Sequence, residues 1–525
     1  MSLTIEKTFV LVSAMPTPNG RLHLGHIGGP FLSTDILARH LRMQGHKAVI
    51  VSGTDSYDSY VTWQAERENL TPLQICNQYH EKIESDLKAM QIGVAKFVNP
   101  LTLKWSGAYQ QWHHTLLSQL RQSGVTQVQK ETIGLDSNGH YLSGWRLSGQ
   151  CPVCNAAVRG YFCEDCGAHF RPEEVVNTQQ PASETTVNNL FMELPAESDL
   201  HGRGLDPSIQ KIYENYISLQ KGLLRLTSSS EWGLSIGNEQ LGDKFFNYPF
   251  AYGFALMLGE VAAQILGIDE NPFAANSKVT TISAFGIDNT IPVLGSILGI
   301  TAACKQYKQF DYYLVNHFLN LNGSKFSTSR RHAIWADDII NKVGASSDII
   351  RLYLATIDIR TAAGNVDTAQ LTQFYNATTK WLDMLVLSAL PALPEDINAT
   401  DNNIVEQFEQ LSTAQSKFLS PAQFQPHNAV AAIASWVNLG LTLSPFSSAY
   451  FWWLKGLSVL SYPFMPRLSE TLWVTLGYSG LPTLSEFTLP PTLPVKRHMP
   501  LNLKPLNKAE IEIGIAQENL GVTAT

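Results

Sequence analysis

The stretch from Ala14 to His26 reads Ala-Met-Pro-Thr-Pro-Asn-Gly-Arg-Leu-His-Leu-Gly-His, and its setting restricts the fold more than any other part of the chain. An apolar run, Phe9 to Val12, precedes it, and a Pro-Asn-Gly turn lies within it. A helix-like pattern through Ile36, Leu37 and Leu41 follows, and then a second apolar run, Val49 to Val51. Strand, tight turn, helix and strand in this order build a parallel α/β sheet. Such sheets bind phosphates at the turn after a strand, because backbone N–H groups at a helix start attract anions. The bare Cα of Gly25 predicts room for a flat base. His23 and His26, three residues apart, predict two hydrogen-bond donors for charge developing on a phosphoryl group. The same His-x-x-His spacing also suits a surface pair or half a metal site; the strand–turn–helix setting favours phosphate.

A chain of 525 residues exceeds what one hydrophobic core supports, about 250–300 residues, so several domains are expected. The amino terminus lacks the basic, then apolar, then small-residue order of a secretory leader. The longest greasy stretch, Phe250 to Ile268, is interrupted by Glu260 and predicts a core helix, not a membrane span. No membrane and a cytoplasmic location are therefore expected. Four of the six cysteines form two hooks, Cys151-Pro-Val-Cys154 and Cys163-Glu-Asp-Cys166. Two such hooks can converge on one tetrahedral ion, and structural zinc with four thiolates is the better reading than a redox dithiol pair. A site with no open position staples the fold and does no chemistry. Cys76 and Cys304 read as ordinary core residues.

These motifs together resemble the class I aminoacyl-tRNA synthetases of the methionyl type. The stretch 14–26 resembles the family's "HIGH" signature, and further matches fall in the family's order: Asp55, the four-cysteine knuckle, Trp232-Gly233, and Gly286-x-Asp288. The last is Asn322-Gly-Ser-Lys-Phe-Ser-Thr-Ser-Arg330, similar to the "KMSKS" loop, with Lys325 in the first lysine position. The resemblance implies an α/β fold with a doubly wound, Rossmann-like parallel sheet, a zinc-knuckle insertion and a C-terminal helical domain. The expected division is 1–120 for the first half of the nucleotide-binding domain and 121–225 for the insertion. The second half, with the Lys325 loop, takes 226–335. A helical junction takes 336–390, and the final, anticodon-binding-like domain and tail take 391–525.

The implied chemistry is amino-acid activation: a carboxylate attacks the α-phosphate of ATP, pyrophosphate leaves, and an aminoacyl-adenylate remains. By family, tRNA then accepts the acyl group. His23, His26 and Lys325 are the implied catalytic residues, with Lys325 neutralising the departing pyrophosphate. Asn19, Gly25, Gly286, Asp288 and Lys325 are expected at the nucleotide, Asp288 on the ribose. Met15, Thr17, Asp55, Pro249 and Val293 are expected at the amino acid, Asp55 on its ammonium group. Mg²⁺ is expected to accompany ATP, held mostly by phosphate oxygens.

Several positions depart from the family pattern. Thr328 stands where a second lysine is usual, and the loss of one charge-assisted contact costs about 1.5–3 kcal/mol. Ser228-Ser229-Ser230 lacks a usual arginine. Thr17, Pro249 and Val293 stand for a tyrosine, a tryptophan and a histidine around the methionine thioether. A larger or more polar amino acid fits such a pocket at least as well. Between Pro391 and Val495 the chain has only Lys417, Lys455 and Arg467 against seven carboxylates, where an anticodon grip needs cations. The apolar cluster Tyr450-Phe-Trp-Trp453 reads as core, not as a base-stacking platform. Two alternatives follow: a paralogue that passes the acyl group to a small-molecule or carrier-protein acceptor, and a silent binding or regulatory protein. The retained set of His23, His26, Asp55, Asp288 and Lys325 argues against the silent one.

Overall fold

The computed structural model describes residues 6–163, 165–166, 168–196, 200–219, 221–237, 241–326, 332–397, 402–501 and 503–511. Five parallel strands form the central sheet, in the order Tyr312–Asn316, Thr280–Gly286, Thr8–Val12, Lys47–Gly53 and Val94–Val98. The pleat sends alternate side chains to opposite faces, and both faces are covered. Phe9, Leu11, Ala48 and Ile50 enter one core, whereas Val10, Val12, Val49 and Val51 enter the other. The helix Leu32–Met43 covers the first face. The second face carries Ala251–Leu266, within Tyr248–Leu266, among the described residues the one helical stretch long and apolar enough to cross a membrane. Most of that stretch is buried inside the fold, as Glu260 led us to expect.

The chain leaves the first strand toward Lys47–Gly53 and later returns to its other side with Thr280–Gly286. This reversal opens a crevice at the carboxyl ends of those two strands, the usual ligand position in an open α/β sheet. The Ala14–His26 stretch and Gly286-x-Asp288 both leave strands at that edge.

Between the halves lies an antiparallel sheet of Thr126–Leu135, Ser183–Glu193 and Leu223–Arg225. A small hairpin, Ser148–Gln150 with Ala157–Arg159, precedes the second cysteine hook. Buried Arg225 donates to both oxygens of Glu131, and Asn189 adds a bond at 2.7 Å. Cys76 and Cys304 are buried among apolar side chains, as expected.

The helices Ser347–Ala355 and Thr368–Leu382 share one core with the final helices Asn402–Phe418, Ala431–Gly440, Ser448–Ser461 and Pro466–Thr475. A buried charge cluster ties this part to the sheet. Asp35 accepts from Arg39 at 2.7 Å and from Arg351 at 2.6 Å, and Gly93 N–H reaches its other oxygen at 2.8 Å. Arg351 also donates to the carbonyls of Met90, Pro463 and Phe464. Burying that guanidinium is tolerated because its donors find fixed acceptors.

Candidate active site

The chain after the first strand ends in His23, which is extended and caps the short helix Leu24–His26. Each histidine accepts from the other's backbone: His26 N–H reaches His23 Nδ1, and His23 N–H reaches His26 Nδ1, both at 3.3 Å. An Nδ1 that accepts carries no proton, so each neutral ring keeps its proton on Nε2. The rings stack at 3.7 Å, and Phe326 stacks on His23 at 4.7 Å. Burial lowers the pKa of His26 to about 4 and that of His23 well below its ordinary value, where His26 and Lys325 add to the effect. Both are neutral Nε2–H donors at pH 7.

Two expectations about this turn need correction. A Cβ on Gly25 would lie 2.9 Å from Phe326 and 3.0 Å from the His23 ring. The bare Cα therefore makes room for those rings and not for a base. The backbone N–H cradle is also largely taken: Leu24 N–H donates to Ile334 C=O at 2.9 Å, and His26 N–H to His23. With the Leu24 and His26 N–H groups engaged, the two imidazoles are the side-chain donors at this helix start.

A tether holds the turn in place. Arg21 donates to Asp338 at 2.7 Å and to Asp86 at 2.8 Å, and Asp86 accepts from Leu22 N–H and Asp337 N–H. The segment just after the Lys325 loop is thus fastened to the histidine turn. Lys325 ends a short strand, Ser324–Lys325, with Nζ 4.8 Å from the centre of the Phe318 ring. Thr328 lies outside the described residues.

His23, His26, Gly25, Asn19 and Lys325 line one cavity of about 730 Å³, which Gly286, Asp288, Asp55, Met15, Thr17 and Val293 also line. At Gly286 a Cβ would meet Asp288 Oδ1 at 2.5 Å, so glycine is what lets that carboxylate fold back over the strand end. Asp55 N–H donates to Pro16 C=O at 3.1 Å, which joins the carboxylate to the signature turn. Pro249 is buried behind the wall; Tyr248 and Tyr252 line the cavity on either side of it. The wall there is aromatic, contrary to the opening that Pro249 led us to expect.

A family model of tRNA synthetases class I (M) matches residues 9–380 of the chain. The chain belongs to that family. A methionine–tRNA ligase of Methanococcus maripaludis is 28% identical over 66% of this chain, which spans about half (52%) of that relative's length. One from Roseiflexus castenholzii is 26% identical, with 93% of this chain and 90% of the relative covered. Among solved structures, Mycobacterium tuberculosis methionyl-tRNA synthetase in complex with methionyl-adenylate superposes with a TM-score of 0.69. It is 14% identical, with 95% of this chain and 99% of the other covered.

Within this synthetase fold, sequence reasoning missed the neighbours of Asp55. Asn247 Nδ2 donates to Asp55 at 2.6 Å, and Tyr248 OH donates to Asp58 at 2.8 Å. Tyr60 N–H donates to Asp58 at 2.7 Å. Burial pushes both carboxyls up, and Asp58 raises Asp55 further as a like charge. The signal was present in Ser56-Tyr-Asp-Ser-Tyr60, but only the fold brings residue 247 to it.

The four cysteine sulfurs lie within 4.8 Å of one another, with Cys151 to Cys166 at 3.8 Å and Cys154 to Cys163 at 3.5 Å. Metal–thiolate bonds of about 2.3 Å in a tetrahedron put sulfurs about 3.8 Å apart, so the group fits a metal ion such as zinc. The knuckle also reaches the synthetase cavity. Phe162, next to Cys163, lines it, and His169 stacks on Phe162 while its Nε2 bonds Asp288 C=O at 3.1 Å. The cysteine group therefore also borders the cavity wall.

In the C-terminal helical region, Tyr450, Phe451, Trp452 and Trp453 are buried, as expected. Lys455 is buried as well, although it counted among the three cations of that region. Its Nζ donates to the carbonyls of Glu486 and Leu489 and lies 3.9 Å from the centre of the Tyr478 ring. Burial lowers its pKa to about 7.

Proposed function

We propose that this protein activates an amino acid with ATP, forming an aminoacyl-adenylate and pyrophosphate. The observation that carries this reading is the convergence of His23, His26, Lys325, Asp288 and Asp55 on one cavity. A carboxylate oxygen of the amino acid attacks the α-phosphorus, and the bond from that phosphorus to the bridging oxygen of pyrophosphate breaks. Charge grows on the phosphoryl oxygens, where His23 and His26 Nε2–H groups donate. Lys325 neutralises the leaving pyrophosphate together with Mg²⁺, which the phosphate oxygens hold. Asp288, with Gly286 and Asn19, holds the nucleoside, and Asp55 takes the substrate ammonium group. Met15, Thr17 and Val293 face the amino acid. Cys151, Cys154, Cys163 and Cys166 would hold structural zinc, which stiffens the wall at Phe162 and His169.

By family the acyl group passes to tRNA. A second reading, a small-molecule or carrier-protein acceptor, is favoured by the burial of Lys455, which leaves Lys417 and Arg467 as the cations of 391–495 that reach solvent. Neutralising few phosphates gives weak RNA binding with a shallow salt dependence. Pyrophosphate exchange with ATP across an amino-acid panel tests activation, and charging of total tRNA tests the acceptor. Exchange with at least one amino acid is expected, and exchange with none overturns the proposal. Efficient, anticodon-dependent charging would overturn the second reading.

A further inference from the structure

We propose that the amino acid taken by this site carries a second cationic nitrogen on a short side chain, received at the Asp55–Asp58 pair. This inference rests on the adenylation reading and names its substrate class. Two carboxylates share one corner of the cavity, and the Asn247 amide serves both, so they are close neighbours. One α-ammonium group balances one of them. The second is then either protonated, as its burial favours, or paired with a second cation.

No cation among the described residues forms an ion pair with either carboxylate, although Arg159 lines the same cavity. Among the described residues, the groups that act on Asp55 and Asp58 are each other, Asn247, Tyr248 and backbone N–H groups, none of them a cation. Asp58 accepts from Tyr60 N–H and Tyr248 OH, and each carboxylate oxygen keeps a further lone pair for a ligand. An independent feature points the same way. Tyr60, Trp63, Tyr109 and Phe162 line this cavity with Tyr248, and aromatic faces attract cations. A thioether gains nothing from the carboxylates, whereas an ammonium group gains from both kinds of wall. Because the carboxylates adjoin, the two nitrogens of the substrate are a few bonds apart, as in 2,3-diaminopropionate or 2,4-diaminobutyrate.

The test is pyrophosphate exchange with ATP using those two acids, ornithine and lysine beside methionine, norleucine and the other neutral amino acids. A short diamino acid is expected to give the highest kcat/KM, at least tenfold above methionine. Asp58→Asn should lower the kcat/KM of the diamino acid relative to that of norleucine at least tenfold, a ratio in which the shared effect on Asp55 cancels, and Asp58→Glu should keep the preference. Circular dichroism of each variant checks that it is folded. Best exchange with methionine or another neutral amino acid overturns this inference and leaves adenylation standing. An Asp58→Asn change that affects all amino acids alike also overturns it. Exchange with nothing in the panel overturns the adenylation reading and this inference with it.

Discussion

The two ends of the cavity handle charge in opposite ways. At the nucleotide end the groups are fixed and matched: Arg21 is fully engaged by Asp86 and Asp338, and two neutral imidazoles hold each other's tautomers. At the amino-acid end two carboxylates sit together with amide and hydroxyl donors, and among the described residues no cation is ion-paired with them. A pre-set donor end suits a ligand that every member of a family shares, because rigid donors need no reorganisation as charge develops. An unbalanced end suits discrimination, because the missing charge must come from the ligand. On the proposed reading, the contrast puts the pre-set donors at the histidine turn and substrate discrimination around Asp58.

The largest expected effect tests the nucleotide end. His23→Ala and His26→Ala should each slow pyrophosphate exchange at least tenfold, and removal of a well-placed donor costs up to ~10²–10³ in kcat. The amino-acid KM should stay within about twofold, because that end rests on other residues. Steady-state exchange kinetics with circular dichroism as a fold control measure this, and unchanged rates in both variants would remove the histidines from the chemistry.

The amino-acid end should respond to pH where the other end does not. Asp55 is raised by burial and by Asp58, so it is protonated below its raised pKa and gains its charge as pH rises. The kcat/KM for the amino acid should therefore climb from acid toward mildly alkaline pH. The lowered pKa values keep both histidines neutral across that range, and the KM for ATP should not follow the same curve. Asp58→Asn removes the like charge and should move the climb to lower pH. Superposable profiles for the two substrates would erase the contrast.

The knuckle touches both ends, through Phe162 and through His169 on the Asp288 carbonyl. His169→Ala should raise the KM for ATP several-fold with little change in kcat, since a positioning contact is lost and no reacting group is. Elemental analysis should find one zinc per chain, and chelation should raise both substrate KM values. A chelated protein with unaltered KM values would return the knuckle to a remote staple.

The smallest effect belongs to the C-terminal helices. Lys455→Met removes the donor to two carbonyls and should cost about 1–3 kcal/mol of stability in thermal unfolding. It should leave any tRNA binding and its salt slope unchanged, because a buried ammonium neutralises no phosphate. A reduced slope would show that this lysine reaches RNA.

Local pattern carried much of the fold. The strand Thr8–Val12, the helix Leu32–Met43 and the strand Lys47–Gly53 are legible because apolar periodicity and a Pro-Asn-Gly turn act over a few residues. The helix Pro72–Ala89 is announced by Thr71, whose hydroxyl caps Gln74 N–H. The four cysteines converge as their spacing predicts, since short hooks constrain their own geometry. Pro249 was misplaced because a position matched to a family pattern outside any motif does not say which side of a turn faces a cavity.

By itself, then, the sequence determined the α/β class, the metal hooks and the motif residues that gather around one cavity, all set by short-range chemistry. Tertiary structure alone decided what those residues face. It filled the space over Gly25 with rings from residues 23 and 326, and gave the first backbone donor to Ile334. It sank Lys455 among carbonyls, and brought Asn247 and Tyr248 to Asp55 and Asp58 across about 190 residues. Burial, and with it pKa and partner, depends on contacts between distant segments, and no window of sequence contains them.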